Sequence, residues 1–166
     1  PQTEAESHGI EDPRITQIDD LFYLCYTAYN GTNALGSLAI SKDLKQFTKQ
    51  GLIVPQFSYD EFRHLATCKG KINQKYARYN EKIHTTGSTK DNILLWDKNV
   101  MFFPRRIQGK LVFIHRVRPD IQIVSINELA DLTHEFWENY FLSFNQNIVL
   151  QSKYKHEVSY IGGGCP

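Results

Sequence analysis

The chain has 166 residues, 41% of them hydrophobic and 22% charged, with a formal net charge of +1. This is the composition of a globular domain with a sizeable core, and it offers no electrostatic case for binding nucleic acid or a membrane surface. The cysteines (Cys25, Cys68, Cys165) and the six histidines show neither a disulfide framework nor zinc-ligand spacing, and no apolar run approaches the ~20 residues of a membrane-spanning helix, so no metal and no membrane partner is expected.

Residues 1–8 are polar and irregular. Gly9-Ile10-Glu11-Asp12-Pro13-Arg14-Ile15 then places two acids and a base at a rigid corner before a strand. Pro13 has a fixed φ and no N–H to donate, and it biases Asp12 towards extended backbone. A carboxylate held at the mouth of a strand in this way is a candidate acid catalyst. The alternative is a turn closed by Asp12 or Glu11 paired with Arg14. Strands are predicted at 14–18, 21–29, 35–41 and 47–54, connected by Asp19-Asp20, Asn30-Gly31 and Ser41-Lys42-Asp43-Leu44. Short strands joined by tight turns predict an antiparallel meander. Cys25 lies within an apolar strand and reads as a small buried hydrophobe.

The stretch 58–91 breaks the pattern. Ser58-x-x-Glu61 is a capping box followed by Phe62, Leu65 and Ala66 at helical spacing. It predicts one or two helices with a basic, solvated face (Lys69, Lys71, Lys75, Arg78, Lys82), then a polar loop at 83–91. The strand grammar then returns. Pro104-Arg105-Arg106-Ile107 echoes Pro13-Arg14-Ile15, Gln108-Gly109-Lys110 echoes the Asp19-Asp20 turn, 111–116 echoes the strand from Leu21, and 122–125 echoes 38–41. A looser echo of Phe47 falls at Phe136-Trp137. Ser125-x-x-Glu128 reads as a second capping box, opening a helical turn near Leu129, and the stretch from Tyr160 to the Gly162-Gly163-Gly164 run reads as the opening of a third unit. Repeated strand–turn–strand units in fixed order are how propeller blades look in sequence. Closure needs about four to eight blades. Two to three units therefore predict a segment of a longer protein, whose open strand edges keep it from folding alone.

Five motifs in order resemble glycoside hydrolase family 130, the β-mannoside phosphorylases and β-1,2-mannosidases. They are Gly9-Ile10-Glu11-Asp12-Pro13-Arg14-Ile15; Tyr26-Thr27-Ala28-Tyr29; Leu38-Ala39-Ile40-Ser41-Lys42-Asp43-Leu44; Phe103-Pro104-Arg105-Arg106-Ile107 with Gly109-Lys110 and His115-Arg116; and Gly162-Gly163-Gly164-Cys165-Pro166. The resemblance covers about residues 8–57 and 92–166. It implies an all-β fold, a five-bladed β-propeller in which 1–166 is part of a single catalytic domain and 58–91 is a helical and loop insertion between blades.

The resemblance also implies an inverting enzyme acting on β-mannoside oligosaccharides. Asp12 is then the general acid, its proton reaching the glycosidic oxygen through a mannose hydroxyl. Inverting hydrolases pair the acid with a second carboxylate that activates water. A phosphorylase lets inorganic phosphate attack and needs cations where the hydrolase has its base. In phosphorylase members the residue before the last glycine motif is typically a lysine that helps hold phosphate. The matching residue here is Tyr160, and Glu157 stands three residues earlier. This departure favours hydrolysis of the β-1,2-mannosidase type, with Glu157 as candidate base. Lys98, Arg106 and Arg116 keep phosphorolysis open as the alternative, with inorganic phosphate as co-substrate and no other cofactor. A non-catalytic glycan-binding propeller is the second alternative. Substrate contacts are expected from Glu11, Arg14, Tyr29, Asn30, Trp96, His115 and Tyr160, with Arg14 orienting the acidic pair and the glycine run giving a close-approaching backbone. Association into a homo-oligomer is an open expectation, and the compartment is not assigned.

Overall fold

In a computed structural model, residues 3–77, 93–157 and 159–164 are described. Arg78, Lys82 and His84, the whole of the loop expected at 83–91, and Cys165 lie outside them. The apolar and aromatic runs become strands as expected. β1 (Gly9–Ile18), β2 (Leu21–Tyr29), β3 (Ala34–Ser41) and β4 (Thr48–Leu52) form one antiparallel meander. β5 (Asp97–Phe102), β6 (Leu111–Val117), β7 (Ile121–Ile126) and β8 (Ile148–Leu150) form a second. The chain is thus mostly β, with few helices. The two meanders share one eight-stranded sheet through a parallel pairing of β3 with β5, at Leu35 and Asp97. The approach there is close: a Cβ on Gly36 would lie 2.3 Å from Val100 Cγ2 and 2.8 Å from Val54 Cγ1.

Five sequence expectations are corrected. The Gly9–Ile15 motif lies inside β1 rather than before it. Asp12 is not extended: its φ is +52°, because Asp12 and Pro13 form a bulge opposite a single residue of β2, between the pairs Glu11–Thr27 and Arg14–Cys25. The first strand of the second meander is β5, ahead of Phe103-Pro104, not the stretch at 105–107. The second capping box is displaced by three residues, with Glu128 and Asp131 exchanging the cap bonds instead of Ser125 and Glu128. Finally, residues 159–164 form no strand and fold back onto the second meander.

The helices fill the side of the sheet away from the bulges. α1 (Tyr59–Thr67) starts at the expected capping box, with Ser58 and Glu61 satisfying each other's backbone N–H groups. α2 (His134–Leu142), capped by Thr133, was not expected. Its aromatic residues, read as a strand echo, instead recur at helical spacing. Phe62 of α1 meets Phe141 and Phe144 edge-on, each at 5.0 Å between ring centres, and Tyr76 meets Phe144 at 5.1 Å. These rings are nearly or fully buried. Each contributes about 1.5–3 kcal/mol of burial, which is why the aromatic content serves the core. Cys25 is buried as expected, and burial pushes its thiol up to about 12.

Candidate active site

The β1 bulge has a twin. β5 carries the same irregularity between the pairs Lys98–Arg116 and Met101–Ile114, and Asn99 there has φ +56°. Glu11 corresponds to Lys98 and Asp12 to Asn99. Asp and Asn are the side chains that best tolerate this left-handed backbone, and the proline beside Asp12 has no N–H for the interrupted ladder to lose. Both bulges face the same region, because Lys98 Nζ bridges Glu11 Oε2 at 3.1 Å.

Around the bulges the charges are unevenly satisfied. The Asp12 carboxylate is exposed and makes no hydrogen bond or ion pair among the described residues. Arg14 does not pair with either acid. It donates to the Asp12 carbonyl at 3.1 Å and to the Gly163 carbonyl at 3.5 Å. Arg116 is 5% exposed and donates to the Ile161 carbonyl at 3.2 Å. Burial above all, then the neighbouring Arg118, pulls its pKa below the ordinary value, while Tyr160, Asp12 and Asp97 favour its charge. The guanidinium carbons of Arg116 and Arg118 sit 4.4 and 4.5 Å from the centre of the one Tyr160 ring. The Nε atoms of both are buried without a hydrogen-bond partner, and among the described residues neither forms a salt bridge. Arg118 also faces Trp96 at 5.8 Å, and the Trp96 indole donates to the Thr32 carbonyl. The glycine run closes this wall. A Cβ at Gly162 would lie 3.3 Å from Asn99 Nδ2, and one at Gly163 would lie 3.1 Å from Ile114 Cδ1.

The fold therefore gathers Glu11, Asp12, Arg14, Lys98, Arg116 and Tyr160. Other expected residues are placed elsewhere. Arg106 binds Asp19 at 3.3 Å and the carbonyls of Gly109 and Asn127. Asp19 lies seven residues along the chain from Asp12, which at ~3.3 Å per residue puts Arg106 roughly 20 Å from the acid. His115 is fully buried between Asp97 and Tyr140, on the face of β6 opposite Arg116. Asn30 spends its carbonyl on the backbone N–H groups of Thr32 and Asn33, and the Tyr29 hydroxyl donates to the Gly31 carbonyl. Glu157 accepts from the backbone of Lys153 and Tyr154, which holds its carboxyl below the usual range. Arg118 and Asn99 are additions. Arg116 lies in β6 and Arg118 in the turn directly after it, and both guanidiniums meet the Tyr160 ring. Asn99 was legible only as the partner of Asp12 in the repeat.

Residues 1–76 match the family described as beta-1,4-mannooligosaccharide phosphorylase, glycoside hydrolase family 130. That match takes in a little under half of the chain. The match takes in the first meander with its acid-bearing bulge and α1. Among curated relatives, the 1,2-beta-oligomannan phosphorylase of Thermoanaerobacter sp. (strain X514) is 26% identical over 133 residues, covering 78% of this chain and 32% of the relative. The beta-1,2-mannobiose phosphorylase of the same organism is 32% identical over 81 residues, covering 47% of this chain and 26% of the relative. The chain thus spans about a third or less of the length of these curated relatives. In fold, it is similar to the beta-1,2-mannobiose phosphorylase from Listeria innocua, solved with beta-1,2-mannobiose, at a TM-score of 0.50 and 24% identity over 78% of this chain and 27% of that one.

Proposed function

We propose that this chain forms part of the active site of an inverting β-mannoside phosphorylase, on a five-bladed propeller to which the two meanders contribute adjacent blades. The observation that carries the reading is the pair of guanidiniums on Tyr160. Arg116 and Arg118 crowd one ring with Lys98 opposite Arg116 in the ladder, and no carboxylate bridges the arginines among the described residues. Like charges held this close favour an anionic ligand between them. Both curated relatives are named as phosphorylases.

In this reading Asp12 is the acid. Its carboxylate is unencumbered, and the bulge turns it out of the ladder into the region of the cations. Phosphate, held by Arg116, Arg118 and Lys98, attacks the anomeric carbon from the face opposite the leaving group. The carbon–oxygen bond to phosphate forms as the glycosidic bond breaks. The Asp12 proton ends on the departing oxygen, relayed by a mannosyl hydroxyl, and the products are α-mannose 1-phosphate and the shortened sugar. Tyr160 remains the feature that favours hydrolysis. The base expected for that chemistry, Glu157, closes its own turn through two backbone N–H groups, and its lowered pKa makes it a weak base.

The test is sugar release from β-1,2- and β-1,4-mannobiose by the intact protein, with and without inorganic phosphate. Mannose 1-phosphate formed only with phosphate supports the reading. Free mannose formed equally in both conditions would replace it with hydrolysis.

A further inference from the structure

Behind the cations lies a buried polar chain that the proposed reaction does not touch. His115 Nδ1 is 2.6 Å from Asp97 Oδ2, and His115 Nε2 is 2.8 Å from the Tyr140 hydroxyl. Tyr140 also reaches the Ile123 carbonyl of β7 at 3.0 Å. Asp97 and His115 are wholly buried and Tyr140 is 8% exposed, so β5, β6, β7 and α2 meet through three polar side chains in the core. Buried polar groups are costly unless paired. When paired, they select one arrangement of the elements that carry them.

The placement of this chain ties it to the site. Asp97 directly precedes Lys98, His115 directly precedes Arg116, and Lys98 and Arg116 are ladder partners. Side chains alternate faces along a strand, so the polar chain and the cations lie back to back on the same two strands. Asp97 is also the residue through which β5 pairs with β3, where the acid-bearing meander meets the cation-bearing one. Its Oδ1 is buried without a hydrogen-bond partner, and its charge favours that of Arg116.

We infer that Tyr140 and His115 are positioning residues for the anion site: they fix Asp97 as the peg and buried counter-charge behind Lys98 and Arg116. The identity of the anion rests on the phosphorylase reading. The geometry does not. The experiment is calorimetric titration of inorganic phosphate into the intact protein and two variants, Tyr140→Phe and Tyr76→Phe. Tyr76 is the control. It is also buried, and its hydroxyl donates to Asp120 at 2.8 Å and accepts from Gln122, whose other bonds go to the Val117 backbone and not to the side chains of Lys98, Arg116 or Arg118.

The expected result is about fivefold weaker phosphate binding for Tyr140→Phe, the scale on which contacts along a packed network move a site, with Tyr76→Phe unchanged despite a comparable loss of thermal stability. Equal affinity in Tyr140→Phe, or equal weakening in both variants, overturns the inference and leaves the phosphorylase reading standing. Phosphate binding by the wild type that falls with Tyr140→Phe, but without phosphorolysis, overturns the phosphorylase reading and leaves the inference. Wild type that binds no phosphate overturns both. If Tyr140→Phe does not fold, His115→Gln is assayed in its place and read by the same outcomes.

Discussion

At the scale of single residues, Asp12 joins a chemically free carboxylate to a backbone most side chains avoid. A left-handed residue is held only where its surroundings over-determine it, and here the bulge, Pro13 and the Arg14 bond to the Asp12 carbonyl do so. Asp12→Asn keeps a side chain that tolerates this φ. It should lower turnover by about 10²–10⁴-fold, the range for loss of a general acid, while mannoside binding by calorimetry stays within about twofold. A binding module would have no turnover to lose. Arg118→Gln should raise the KM for phosphate by about tenfold, the loss of one charge-assisted contact, and leave the KM for mannoside unchanged. An equal rise in both would place Arg118 outside the anion site. The sequence alone exposed Asp12 through its acidic, proline-stiffened motif, and Arg116 through its place after an apolar run. It read His115 as a substrate contact, although His115 is buried on the face opposite Arg116, because adjacent strand residues share a motif but not a face.

At the scale of elements, local chemistry was legible where it was self-contained. The α1 capping box needs only Ser58 and Glu61, and it forms as read. Ser58 donates its N–H at 2.7 Å and its hydroxyl at 2.8 Å to the Glu61 carboxylate, holding that carboxyl below its ordinary 4.5. A depressed folded value means that the stabilisation is present above the unfolded value and is lost as pH falls through the folded one. Thermal stability should therefore decline below about pH 4.5 through this group, and Glu61→Gln should flatten that limb of the melting profile. Ser58→Ala at neutral pH should cost about 1 kcal/mol, read as a fall in Tm of about 2–4 °C. α2 and β5 were missed for the opposite reason. Their patterns are short, and a repeat anchored on Pro104 pulled the alignment several residues past the true first strand. The two bulges, not the prolines, are the equivalent points.

At the scale of the whole molecule, the acid and the cations belong to different meanders, so the site is only as well made as the seam between them. Gly36 sits at that seam. Gly36→Ala would drive a methyl into Val100 and Val54, an overpacking of about 1–3 kcal/mol. It should lower Tm by several degrees and reduce kcat more than either KM, since it shifts one half of the site against the other. Unchanged kinetics at reduced Tm would show that the seam tolerates the shift. The division into strand–turn–strand units was readable from sequence, because turn residues and apolar runs are local. The seam was not, since it depends on a glycine and a valine 64 positions apart in the chain.

The twin bulges have one more consequence. The same left-handed niche occurs on β1 and on β5, filled once by an aspartate and once by an asparagine, side chains of nearly one shape that differ by a proton donor. Reciprocal exchange, Asp12→Asn with Asn99→Asp, asks nothing new of either backbone. Such a protein should fold with its handedness of charge reversed, its donor seated among the arginines instead of across from them, a well-formed lock with its bolt on the wrong leaf of the door.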